Sequence, residues 1–248
     1  MDRQLEMCAH TTTPEVNYEA VWQGAWNDTT RYGPACRHRR RLVTKLLRSV
    51  PHATILDLGC GDGTLLAELA GQVDARVEGA DVSEEALVHA RTLLPDVPLH
   101  QVDLDCGYSL GDFDVVILSE VLEHIEDDAG VLRELAPHAR HVVISVPGGP
   151  PDKVDEAYGH FRNYSGDHLF RLLEETGYDV VRFFRWGFPF YEAMMFCSRF
   201  SSNPAALSGG PFGPTKKVLA FLGYYLFLLN VYRGSQVFAL ARSRRFGE

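Results

Sequence analysis

No C-x-x-C pair occurs among the five cysteines Cys8, Cys36, Cys60, Cys106 and Cys197. Neither a zinc ribbon nor a disulfide framework is indicated, and a reducing, cytoplasmic setting is expected. A surplus of basic residues is also missing. The net charge is −9, so nucleic acid would be repelled over most of the surface and is disfavoured as a partner. The first twenty residues lack the apolar stretch of a secretory signal. No apolar run reaches the roughly 18 to 20 residues that cross a bilayer, so no transmembrane segment is expected. The longest run, Val218 to Tyr232, carries Asn230 and reads as a buried helix or lid, with weak membrane association as the alternative. Repeats, low-complexity tracts and linkers are absent too. A chain of 248 residues with 46% apolar and 23% charged residues is expected to fold as one domain.

What is present is alternation. β-rich runs such as TILDLG, ARVEGAD, FDVVILSE and HVVISVP are separated by helical patterns such as TLLAELA, SEEALVHARTLL and DAGVLRELAP. Strand, helix, strand, repeated, predicts an α/β fold with a doubly wound, mostly parallel sheet. Residues 51–186 would form its core. Residues 1–50 would cap it with a helix whose Leu42, Val43, Leu46 and Leu47 make an apolar stripe. Residues 187–233 would be an apolar lid, and 234–248 the final strand and tail.

The first strand-to-helix turn, LDLGCGDG, places Gly59, Gly61 and Gly63 where a nucleotide-like ligand binds in such sheets. Glycine lets the backbone approach a ligand without a Cβ, and the following helix offers free N–H groups. The spacing is G-x-G-x-G, whereas a dinucleotide fingerprint reads G-x-G-x-x-G. Asp57, two residues earlier, would repel a pyrophosphate and suits a cationic ligand. Asp81 in GADVS is placed to accept from ribose hydroxyls, or to cap the helix starting near Ser83. Asp103 in VDLD is placed to meet an adenine amino group, with Asp105 beside it as the alternative.

These motifs, in this order, resemble the class I S-adenosylmethionine-dependent methyltransferases over roughly Ile55 to Val181. The resemblance implies a Rossmann-like seven-stranded sheet whose last strand, SQVFALARS, is antiparallel, and S-adenosylmethionine as cofactor. It implies cofactor contacts from Asp57, Gly59, Cys60, Gly61 and Gly63, from Asp81 and Val82, from Asp103 and Leu104, and from Ser119. Trp22, Trp26 and Tyr32 could close over the sulfonium, since aromatic faces attract cations, or could simply pack.

Methyl transfer to a hydroxyl needs a proton removed or an oxygen bound to a metal. SEVLEHIEDD offers Glu120, Glu123 and His124, and GHFRNYS offers His160, Arg162 and Tyr164. This combination resembles the ubiquinone-biosynthesis O-methyltransferases and the small-RNA 3′-terminal 2′-O-methyltransferases. By that resemblance Glu120, Glu123, His124 and His160 would hold a divalent metal, with Mn, Fe or Zn suiting the imidazoles better than Mg. Without a metal, His124 would act as a base or substrate contact, flanked by Glu120 and His160. The aromatic insertion suits a small-molecule acceptor such as a natural product, a sugar or a quinone-like ring, and could also support a homodimer. O-methylation is favoured. The alternatives are RNA 2′-O-methylation and a non-catalytic, cofactor-binding scaffold subunit.

Overall fold

The computed structural model describes residues 26–106, 111–151, 155, 158–198 and 210–247. Among them, seven strands form one sheet: β1 (Thr54–Leu58), β2 (Arg76–Asp81), β3 (Leu99–Gln101), β4 (Phe113–Ser119), β5 (Ala139–Pro147), β6 (Tyr178–Phe188) and β7 (Val231–Ser243). Their order is β3-β2-β1-β4-β5-β7-β6. Strands β1 to β5 pair in parallel, and β7 enters between β5 and β6, antiparallel to both. This is the doubly wound architecture with an antiparallel last strand that the sequence predicts.

Because successive strand residues point to opposite faces, each strand serves two cores. Ile55, Val115, Ile117 and Val143 face helices α2 (Pro34–Leu47), α3 (Thr64–Ala70) and α4 (Glu84–Leu93). Leu56, Val116, Leu118, Val142 and Ile144 face α5 (Asp128–Leu135) and α6 (His168–Glu175). The predicted stripe of α2 is real: Leu42, Val43, Leu46 and Leu47 are all buried. Each such side chain contributes about 1.5–3 kcal/mol relative to exposure. A short helix, α1 (Trp26–Tyr32), precedes α2.

Between β6 and β7 lie α7 (Phe190–Ser198) and α8 (Pro214–Phe227). Helix α8 packs on α2, with Gly223 against Pro34 and with Ala220 and Phe227 buried. Of the two readings of Val218 to Tyr232, a buried helix or a lid, the buried helix is corrected. Val218, Leu219, Phe221, Leu222, Tyr225 and Leu226 face outward, because α2 covers only one side of a helix that is apolar all round.

Candidate active site

The turn after β1 is shaped by backbone conformation. Gly59, Gly61 and Gly63 have φ of 82°, 54° and 75°, a region that L side chains rarely adopt. A Cβ on Gly59 would lie 2.3 Å from Val121 Cγ2, and one on Gly63 would lie 2.9 Å from Ala90 Cβ. The N–H groups of Gly59 and Cys60 both donate to the Ala80 carbonyl, at 2.7 and 2.9 Å. The buried Cys60 thiol is pushed well up by desolvation, with Asp57 and Asp81 adding to the shift.

Asp57 and Asp81 are carboxylates on the strands that flank this turn. Asp81 Oδ2 accepts from Gly61 N–H at 2.8 Å, and its Oδ1 accepts from Ser83 N–H at 3.0 Å. Asp81 thus ties the glycine loop to the end of β2, while Ser83 itself caps α4 by accepting from Ala86 N–H. Asp57 is buried, and its Oδ2 has no hydrogen-bond partner. Burial, then the nearby Asp81, push its carboxyl up to about 7.

The helical cap reaches the same loop. Thr30 Oγ1 donates to Asp62 Oδ2 at 2.6 Å, and Asp62 Oδ1 accepts from Thr64 N–H. Buried Arg40 braces this contact by donating to the Thr30 and Arg31 carbonyls and, at 2.8 Å, to Glu68.

A second group of polar side chains begins where β4 ends. Val121 packs on Gly59, so the EVLEH turn lies directly against the glycine loop. Glu120 has φ +60°, strained for a non-glycine residue, and its N–H donates to the Ser145 carbonyl at 2.8 Å. Its Oε1 accepts from Gln236 Nε2 at 2.8 Å and from Ser145 Oγ at 3.2 Å; its Oε2 pairs with Arg39 at 2.8 Å. Burial alone would lower the Arg39 guanidinium, but Glu120 and, more weakly, Glu123 keep it above its ordinary value.

One turn on, a single 3₁₀ turn (Leu122–His124) brings Glu123 and His124 to His160, with potential ligand atoms all within 4.8 Å of one another. The His124 and His160 rings meet edge to face at 4.6 Å. Glu123 is fully buried with neither carboxylate oxygen hydrogen-bonded. Burial and then Glu120 push its carboxyl well above the ordinary range, despite Arg39. Burial, followed by the neighbouring His160, lowers His124 to about 3. Asp155 Oδ1 stands 3.3 Å from His160 Nδ1, and Phe161 N–H donates to the Glu123 carbonyl at 2.8 Å.

Comparison with known proteins agrees with this geometry. The family described as "Methyltransferase domain" matches residues 29–182. The chain belongs to the class I S-adenosylmethionine-dependent methyltransferases. It is 37% identical to trans-aconitate 2-methyltransferase from Azoarcus sp. (strain BH72), over 61% of this chain and 56% of that one. It is 30% identical to the ubiquinone biosynthesis O-methyltransferase of Aromatoleum aromaticum, over 66% of this chain and 70% of that one. The fold matches the N-methyltransferase NodS from Bradyrhizobium japonicum WM9, solved with S-adenosyl-L-homocysteine. That match has a TM-score of 0.60 at 16% identity, covering 92% of this chain and 98% of the other.

In this methyltransferase Asp57, Gly59, Cys60, Gly61, Gly63 and Asp81 come together at one turn, with Val82 exposed beside them. Asp103 opens the turn containing Leu104 and accepts from Asp105 N–H at 3.0 Å. Ser119 Oγ meets Ser145 Oγ at 2.9 Å. Tyr32 packs towards Phe212, with Lys217 over its ring at 4.6 Å. Trp22 lies outside the described residues, and of Trp26 only the backbone is described. Glu120 stands apart from the Glu123, His124 and His160 group, held by Arg39 and Gln236. Arg162 and Tyr164 are braces: Arg162 donates to the Ile125 carbonyl at 2.6 Å, and Tyr164 OH to Asp128 at 2.6 Å. Arg39, Gln236 and Thr30 were invisible to sequence reasoning, since nothing local marks them as facing the site.

Proposed function

We infer that this methyltransferase transfers the methyl group of S-adenosylmethionine to an oxygen of a small, largely apolar acceptor, with a divalent cation held by Glu123, His124 and His160. The observation that carries the reading is the packing of Val121 on Gly59, which sets the Glu123 and His124 turn directly against the cofactor loop.

The residues fit both groups. A buried carboxylate oxygen with no partner, Asp57 Oδ2, suits the cationic end of the cofactor, and the three glycines leave the room that a Cβ would fill. Bound there, the cofactor supplies a methyl carbon on a positively charged sulfur for in-line transfer. Asp81 would accept from the ribose and Asp103 from the adenine amino group. Two unpartnered carboxylate oxygens on Glu123 beside two imidazoles suit Mn²⁺, Fe²⁺ or Zn²⁺, and a cation there would act as a Lewis acid towards the acceptor oxygen. His124 is held neutral, the state in which imidazole ligates. Arg39 and Gln236 hold Glu120 outside this group, and Asp155 would orient His160. The relatives named for ubiquinone O-methylation support an oxygen acceptor.

The test is isothermal titration of S-adenosylmethionine, and separately of Mn²⁺, into chelator-treated protein. A cofactor isotherm lost in Asp81→Ala and a Mn²⁺ isotherm lost in His124→Ala support the reading. Cofactor binding without metal uptake removes the cation from it, and no cofactor binding overturns it.

A further inference from the structure

Helix α8 presents an apolar face without covering it. Leu219 is 63% exposed, and Phe221, Leu222 and Tyr225 each exceed 50%. Past the helix, Leu229 is 65% exposed and Tyr232 57%. Helix α7, packed nearby, adds Phe196 at 60%. An apolar patch of this extent marks a surface that binds something. The opposite stripe of α8, with Ala220 and Phe227, is anchored on the core, so the outward face is presented rigidly.

Beside that face runs a basic row. Arg37, Arg41 and Lys45 recur at helical spacing along α2, Arg48 follows at its C-cap, and the four line a concavity of about 400 Å³ together with Tyr224 of α8. The Arg37 guanidinium lies 3.9 Å from the Tyr224 ring centre, and Lys45 Nζ donates to the Tyr232 hydroxyl at 2.9 Å. The carboxylate in this concavity, Glu68, is bound by Arg40. The chain as a whole carries −9, so this row is a local reversal of sign.

We propose that α8 and the basic row of α2 form a docking surface for an anionic lipid bilayer. The apolar face would enter the acyl boundary, and the Arg and Lys row would meet the phosphate headgroups. Charge complementarity selects this occupant. A second copy paired through the same face would offer the row only apolar side chains or another basic row, and no unpaired anionic group. The acidic remainder of the surface would be repelled by the same headgroups, which fixes the orientation of the bound enzyme. The inference deepens the small-molecule reading by placing the enzyme where apolar acceptors dissolve, but it rests on surface residues alone.

Vesicle co-sedimentation tests it, using phosphatidylcholine alone and phosphatidylcholine with about a third phosphatidylglycerol. The protein should sediment with the anionic vesicles and about tenfold less with the neutral ones, and the difference should shrink at high salt. Phe221→Ser with Leu222→Ser, and separately Arg41→Glu with Lys45→Glu, should each abolish sedimentation. S-adenosylmethionine titration of the same variants should be unchanged, which shows that they fold and keeps this result separate from the cofactor assignment. Equal sedimentation with both vesicles, or with neither, overturns the proposal. So does a dimer in sedimentation velocity that Leu222→Ser dissociates, which would assign the face to a second copy.

Discussion

Arg39 on α2 and Glu120 at the end of β4 form an ion pair at 2.8 Å, joining the helical cap to a strained residue beside the EVLEH turn. The pair is partly buried, so solvent screening tempers its contribution, and Arg39→Met should cost about 1–2 kcal/mol of stability. The effect on turnover should be larger, at least tenfold in kcat, with little change in the Kd of S-adenosylmethionine. A kcat within twofold of the wild type would mean that Glu120 needs no such partner.

Asp57 titrates near 7 because it is buried and lies near Asp81. Below that pH the carboxyl is neutral, and a cationic cofactor must displace its proton. S-adenosylmethionine affinity should therefore rise with pH between about 6 and 8, with proton release that shows as a buffer-dependent heat. Asp57→Asn should bind more weakly and lose this pH dependence. A flat wild-type profile would remove Asp57 from contact with the cationic end.

The Glu123 carboxylate has no hydrogen bonds to offset its burial. A carboxyl whose folded value is raised destabilises the fold above the unfolded pKa and is harmless below it. Glu123→Gln should thus gain about 1–3 kcal/mol near pH 7.5 in chemical denaturation, gain little near pH 4, and lose methyl transfer. Loss of stability at neutral pH would show that the carboxylate is compensated in solution.

Thr30 ties α1 to the glycine loop through Asp62, and Arg40 of α2 ties Thr30 to α3 through Glu68. Thr30→Val should remove about 1 kcal/mol, and Arg40→Ala about 2–3 kcal/mol, from thermal stability. Both should quicken cofactor release in stopped-flow measurements, because the cap adds a tie to the loop through Asp62. An unchanged off-rate would make the cap a purely structural element.

Gly59→Ala meets two obstacles at once, a φ of 82° and a Cβ 2.3 Å from Val121. It should cost about 1–3 kcal/mol and abolish cofactor binding in titration. Val121→Ala should relieve the clash but not the backbone strain, giving partial recovery at best.

The glycine turn and the α2 stripe were legible because both are local: a bare strand-to-helix turn needs five residues, and Leu42, Val43, Leu46 and Leu47 mark a face by spacing alone. The pairs that build the site, Arg39 with Glu120 and Thr30 with Asp62, join distant segments, and no local pattern announces them. Glu120 was singled out for its carboxylate. Its φ of +60° arises from packing, since glutamate has no preference for that region. Helix α8 shows the converse. Its composition demanded a covering surface all round, and the fold supplies one on a single side.

The position of β7 has a consequence for how the chain is made. Strand β6 leaves the ribosome before β7, yet its only sheet neighbour among the described residues is β7. Until residues 231–243 emerge, β6 has no backbone partner, β5 keeps an open edge, and Glu120 lacks Gln236. The nascent protein can assemble β1 to β5 and the glycine loop early, but the surroundings of Glu120 are completed only when β7 follows β6.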